Sequence, residues 1–297
     1  MPRFRPLHVL LAAGLGAAAL STVLLAQARE RVLYVTAFDA AGKAPVDTLQ
    51  PGDVRVTEDG RSREVLRVTP ASTPMPVAVL VDNQAAAQAT IADLRNALAA
   101  FLTRIDGVGP VALVTVADRP TIRQDYTTDI AQVKEAANRI FAQPDSGATM
   151  LDAIQEISRG LRRREEDRVA IVLVTTELTE FSTLHYSQVL DALHDSGAMM
   201  SAVVLQNSRG SLQNDPARNR AVVLDRGVVE TGGQRVDVLT SIGYASALDQ
   251  IATALTHQHR VVYARPDTLI PPERVSVEAA RPTMKIVGAP ARGQAER

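Results

Sequence analysis

The chain has 297 residues, 46% hydrophobic and 22% charged, with a formal net charge of −1. This composition excludes disorder as the main state, and the balanced charge lacks the basic excess that nucleic-acid binding requires. With no cysteine anywhere, disulfides, thiolate metal sites, cysteine catalysis and lipid attachment through cysteine are excluded as well.

The first 28 residues read as a targeting segment. Arg3, Arg5 and His8 give a positive start, Val9 to Leu25 is free of charge, and Ala26-Gln27-Ala28 is a small-x-small cleavage pattern. A signal peptide over 1–28, cut after Ala28, makes the protein exported, either periplasmic or secreted, with no membrane insertion after cleavage. Retention of the segment as an anchor is the alternative, since the 17 residues of its apolar run lie at the short limit of a spanning helix. Losing Arg3 and Arg5 moves the net charge from −1 to −3.

From 29 to 70 short alternating runs predict a small antiparallel β unit: Val32 to Thr36, Val54-Arg55-Val56 and Val65 to Val68. Its expected turns are Ala41-Gly42-Lys43 and Glu58-Asp59-Gly60, because an Asp-Gly pair tolerates the positive φ of a tight hairpin. Residues 71–76, with two prolines and no periodicity, read as a linker.

Beyond it, continuous apolar strands alternate with helices. Val77 to Val81, Val111 to Val116, Val169 to Val174 and Met199 to Leu205 lack polar alternation, as strands covered on both faces do. Ile91-Leu94-Leu98-Phe101-Leu102-Ile105 and Leu151-Ile154-Ile157-Leu161 repeat at helical spacing. Shorter helices are predicted over Ile130 to Ile140, over Val189 to Leu193 with Gly197 as the stop, from Asp215-Pro216 towards Gly232-Gly233, and around Leu248 to Leu255. The strand Arg260 to Tyr263 follows; within 267–287 the alternating stretch Arg274 to Glu278 is expected to add a strand to the N-terminal unit or to an edge of the sheet, and 288–297 reads as a flexible tail.

Strands and helices in this alternation specify an α/β domain over 77–266, a doubly wound, mostly parallel sheet flanked by helices, with the small N-terminal antiparallel β unit beside it. Such sheets bind ligands beyond the carboxyl ends of their strands, which directs attention to the loops that start at Asp82, Ala117 and Thr175.

At Asp82 a resemblance becomes visible. The order of strand, Asp82, long helix, strand, helix, the loop Ser146-Gly147-Ala148-Thr149, helix and strand resembles a von Willebrand factor type A domain. Gln50 to Gly60, ending in Glu-Asp-Gly, resembles the leading β unit of the bacterial exported VWFA-related family, and Thr231-Gly232-Gly233 with His257 to Tyr263 resembles its closing segment. The likeness spans about residues 31–287 and lies in order and punctuation. It implies a Rossmann-like fold and a metal-ion-dependent adhesion site, in which Asp-x-Ser-x-Ser, a Thr and an Asp from three loops hold Mg²⁺.

Here the residues depart from that pattern. The first loop is Asp82-Asn83-Gln84-Ala85-Ala86, the second offers Thr149 or, in the other register, Ala148, and the third has Thr176 and Glu177 in place of the Asp. A hard dication wants about six oxygen ligands, so the expectation is a degenerate site with no cofactor. If Mg²⁺ does bind, its ligands are Asp82, Gln84, Thr149 and Glu177; otherwise Asp82 caps local backbone donors. His257 and His259 have no third ligand nearby in sequence and are expected at the surface or an edge. There is no nucleophile elbow, Walker loop or dinucleotide fingerprint.

The function expected from this is a non-enzymatic module that recognises an unidentified protein partner through Asp82, Asn83, Gln84, Thr149, Thr176 and Glu177, independently of metal. Substitutions there are expected to change binding with little effect on stability. A metal- or small-ligand sensor, and a hydrolase using Asp82 or Glu177 as acid or base, are the alternatives. The polar stretch Asn207 to Arg220 is the longest expected loop.

Overall fold

The computed structural model describes residues 28–176, 180–206, 214–266, 272 and 275–290. The leader, Glu177 and the first half of the Asn207 to Arg220 stretch lie outside them. No helix among the described residues is long and apolar enough to cross a membrane.

The leading strands are β1 (Ala28–Asp39), β2 (Val54–Glu58), β3 (Arg61–Arg63) and β4 (Val65–Pro70). Asp59 and Gly60 take positive φ of 48° and 78°, which closes the β2–β3 hairpin as the Asp-Gly pair predicts. The main domain follows with β5 (Val77–Asp82), α1 (Ile91–Arg104), β6 (Val111–Val116), β7 (Pro120–Thr127), α2 (Ile130–Asn138), α3 (Met150–Arg162), β8 (Val169–Thr176), α4 (Tyr186–Ser196) and β9 (Ala198–Leu205). It continues with α5 (Asp215–Val222), a π turn (Val223–Gly227), α6 (Val228–Glu230), β10 (Arg235–Val238) and α7 (Gly243–Thr256). Three strands close the chain: β11 (Gln258–Pro266), β12 (Val275–Ala279) and β13 (Met284–Pro290).

The central sheet has six strands in the order β10-β9-β8-β5-β6-β7, parallel except for β7, which runs antiparallel to β6. Successive side chains of β5 point to opposite faces. Val77, Val79 and Val81 join Leu94, Leu98, Phe101, Leu248 and Ile251 of α1 and α7, while Ala78 and Leu80 join Leu151, Ile154, Val189 and Leu193 of α3 and α4. Both faces of the sheet are dry, which is why its inner strands read as unbroken apolar runs. Helix α4 ends at Gly197, whose φ of 68° is the left-handed cap expected of it. The edge strands β7 and β10 escape a reading by hydrophobicity, since β7 is mostly exposed and polar and β10 has only four residues.

The N-terminal β unit is completed by the end of the chain. Strand β1 pairs with β11 and β13, β4 pairs with the other edge of β11, and β12 joins β2 and β3 in a second, three-stranded sheet. Residues 288–290, expected in a flexible tail, are instead the end of β13, paired with β1. Leu33, Val35, Val54, Val56 and Val261 form the core between these sheets.

The unit is docked on the main domain. Thr36 Oγ1 donates to the Ala254 carbonyl at 2.6 Å, Met75 in the connecting segment is buried, and the Arg168 guanidinium lies over the Tyr34 ring, 5.6 Å from its centroid. His259 is buried at this junction rather than at the surface, its Nε2 3.1 Å from the Asp47 carbonyl oxygen.

Candidate functional site

Strand order places the site. The connection that leaves β5 runs through α1 to β6 on one side, and the one that leaves β8 runs through α4 to β9 on the other, so the β5/β8 boundary is the switch point at which a crevice opens beyond the strand ends. Asp82 is the last residue of β5 and Thr175-Thr176 the last pair of β8. They meet in that crevice because Val81 and Val174 are in register directly beneath them.

Asp82 is buried, and its carboxylate is surrounded by donors. Oδ1 accepts the Gln84 backbone N–H at 3.1 Å. Oδ2 accepts from Gln84 Nε2 at 2.9 Å, Thr175 Oγ1 at 3.0 Å, and Thr176 N and Oγ1 at 3.3 Å each. The Gln84 amide therefore turns its N–H towards the carboxylate, because its oxygen there would face another oxygen.

The other loops are fastened around this centre. Asn83 Nδ2 donates to the Phe141 carbonyl at 2.9 Å, and the Asn83 carbonyl accepts from Gln143 N at 2.8 Å. Asp118 receives the Gly147 N–H at 3.1 Å and Gln143 Nε2 at 3.2 Å. Thr149 donates its hydroxyl to the Ala117 carbonyl at 2.9 Å rather than to Asp82. The register question on the second loop thus has a structural outcome: Thr149 starts α3, and Ala148 is buried in a bridge to Glu180.

Three further side chains belong to the site. Arg220 is delivered by α5, which begins at Asn214 capping Ala217 N at 2.9 Å. Its Nη2 donates to Thr175 Oγ1 at 2.8 Å and to the Thr176 carbonyl. Glu180 is buried with Oε2 3.9 Å from Arg220 Nε, while its Oε1 accepts from the backbone of Leu151 at 3.4 Å and Ser182 at 3.3 Å. Burial pushes the Glu180 carboxyl above its ordinary range, against the opposing pull of its Ser182 hydrogen bond and Arg220. Tyr244 at the start of α7 is also buried, and its phenol is pushed up to about 12, chiefly by desolvation and further by Asp82 and Asp93.

Around the buried centre, the same end of the sheet carries large exposed apolar side chains: Phe141 at 55% exposure, Phe181 at 60%, Leu239 at 84% and Ile242 at 81%. The Phe181 ring lies against Gly147, where a Cβ would come within 1.8 Å of it.

The chain is similar in structure to a von Willebrand factor type A protein from Catenulispora acidiphila. The TM-score is 0.51 at 9% identity, over 90% of this chain and 63% of that one. The domain over 77–266 has a von Willebrand factor type A-like fold. Two other solved structures are similar to the domain at lower scores. BatB from Bacteroides thetaiotaomicron has a TM-score of 0.45 at 13% identity, over 60% of this chain and 97% of that one. The PilB minor pilin from Streptococcus sanguinis has 0.48 at 10%, over 63% and 62%. No protein-family model and no curated protein matches the chain.

The A-like domain brings Asp82, Gln84 and Thr176 into one hydrogen-bonded cluster, with Asn83 fastening the neighbouring loop and Thr149 turned to Ala117. As arranged, these residues do not fit the Mg²⁺ ion that the fold family implies. Ala86 has no donor atom, Gln84 points N–H groups inwards, and the Asp82 oxygens already accept from five donor atoms. Among the described residues no three His, Cys, Asp or Glu side chains gather into a cation site.

Thr175, Glu180, Arg220 and Tyr244 are absent from the set read out of the sequence. For Arg220 a signal existed: Ala217, Arg220 and Leu224 share the buried face of one helical stretch, and a charged residue in an apolar stripe needs a partner.

Proposed function

We propose that this is an exported, non-enzymatic protein-interaction module whose A-like domain binds a partner without a metal ion, through the face above the carboxyl ends of its central sheet. The observation that carries this reading is the Asp82 carboxylate, buried, with four donor atoms from Gln84, Thr175 and Thr176 around Oδ2 and the Gln84 N–H on Oδ1. A metal-bridged partner carboxylate needs the lone pairs of those oxygens for the ion.

Phe141, Phe181, Leu239 and Ile242 supply what the cleft does not. Exposed aromatic and aliphatic side chains at one end of a domain favour protein contact, where desolvating them drives association. Catalysis is disfavoured because Asp82 and Glu180 are both buried and held by donors, with neither poised as an open acid or base. Export rests on the leader pattern of residues 1–28.

The reading is tested by placing a photocrosslinking residue at Phe181, and in a separate variant at Val229, which is 77% exposed at the opposite end of the sheet. Irradiated in the native host, the first is expected to capture a discrete partner that the second does not, with unchanged yield in EDTA. Equal capture from both positions, or loss of capture in EDTA, contradicts it.

A further inference from the structure

We infer that the Arg220 guanidinium is the resident cation of the Asp82 cleft, a positive charge tethered to the chain in the region where the fold family holds a metal ion. This rests on the metal-free reading above and names the residue responsible for it.

Arg220 is only 4% exposed, and a guanidinium removed from water so completely persists only where acceptors and negative charge surround it. Here they do. Its Nη2 donates to Thr175 Oγ1 at 2.8 Å and to the Thr176 carbonyl. Thr175 has one hydroxyl proton and, while accepting from Arg220, passes that proton towards Asp82 Oδ2 at 3.0 Å. Glu180 Oε2 lies 3.9 Å from Arg220 Nε on the other side. The guanidinium therefore sits between two buried acids, 3.9 Å from Glu180 with no hydrogen bond between Nε and Oε2, and linked to Asp82 through the Thr175 hydroxyl.

The helix that carries Arg220 is anchored for this placement. Asn214 caps it, Asn219 Nδ2 donates to the Leu184 carbonyl at 3.4 Å, and Gly227 in the π turn admits the Met200 methyl to within 2.9 Å of where a Cβ would stand. A dication added beside the guanidinium would meet a like charge in a dry crevice, where repulsion is weakly screened. Because Arg220 is buried, a partner carboxylate cannot reach it directly either.

The test is chemical rescue. Arg220→Ala is expected to lower the Tm by about 10 °C. Guanidinium chloride at roughly 50 mM, well below denaturing levels, is expected to restore about 3 °C of that loss where equal KCl restores none. The wild type should gain nothing. The double variant Arg220→Ala/Glu180→Gln removes the neighbouring acid, giving a folded background if the single variant does not fold, and it should show the same selective gain. A guanidinium response no larger than that of KCl in both variants overturns the inference and leaves the metal-free reading standing. A Tm increase of the wild type with Mg²⁺ overturns that reading itself.

Discussion

Replacing Asp82 by alanine distinguishes a hydrogen-bonded carboxylate from a vacant metal ligand. In the structure the substitution strands two backbone donors, Gln84 N and Thr176 N, together with Gln84 Nε2 and the hydroxyls of Thr175 and Thr176. The side-chain donors can turn to other acceptors, but the two backbone N–H groups are fixed by the turn and the strand. Each buried donor left unmade costs about 1–3 kcal/mol, so Asp82→Ala should lose about 3–5 kcal/mol. Asp82→Asn, which keeps one acceptor oxygen, should lose less, about 1–2 kcal/mol. Urea unfolding followed by far-ultraviolet circular dichroism gives both values from the midpoints at constant slope. An Asp82→Ala variant within about 1 kcal/mol of the wild type, or more stable than it, would refute the reasoning, since removing an uncompensated carboxylate relieves strain rather than creating it.

Three other outcomes follow from the same geometry. Glu58 joins the two sheets of the β unit by accepting from Tyr263 OH and Arg63 Nε, each at 2.8 Å, with Arg265 Nε 3.5 Å away; Glu58→Ala strands these groups and should cost about 3–5 kcal/mol in urea unfolding, against about 1 kcal/mol for Tyr263→Phe. Gly147→Ala puts a Cβ 1.8 Å from the Phe181 ring, and because that ring is exposed and can swing aside, urea unfolding should show a loss of only about 1 kcal/mol while partner crosslinking at the cleft falls. The Glu180 carboxyl, raised by burial above its ordinary 4.5, binds more protons folded than unfolded, so its contribution is complete below about pH 4.5 and declines as pH rises through its folded value. Stability profiles of wild type and Glu180→Gln should therefore converge in slope only outside that window, and identical slopes throughout would contradict the assignment.

Much of the fold was legible because its inner strands are buried on both faces. Unbroken runs such as Val77 to Val81 and Val169 to Val174, separated by helices of three- and four-residue period, specify the alternation, and Asp82 stands out as the acid that ends such a run. The edges were not legible, because β7 is polar and β10 too short for periodicity. Nor was the closure of the β unit by β11 and β13, since pairing across more than 200 residues leaves no local trace.

The site divides in the same way. Asp82 and Thr176 stand at the ends of apolar runs that the sequence displays, whereas Thr175 lies just past the run Val169 to Val174 and Arg220 lies in a polar stretch at the start of a helix with little apolar periodicity. The expectation that cleft substitutions leave stability alone also changes, because Asp82, Gln84 and Thr176 are buried and bonded to one another rather than open to solvent. Glu177 lies outside the described residues, and the buried acid on that loop is Glu180.

The central claim, a cleft that works without a metal ion, is tested most directly by calorimetric titration of the chain with Mg²⁺, Mn²⁺ and Ca²⁺, alongside Asp82→Ala. The account predicts no saturable heat from any of the three in the wild type. Saturable binding that disappears in Asp82→Ala would contradict it, and would mean that the Gln84 amide and the Thr175 and Thr176 hydroxyls give up their bonds to Asp82 to make room for an ion.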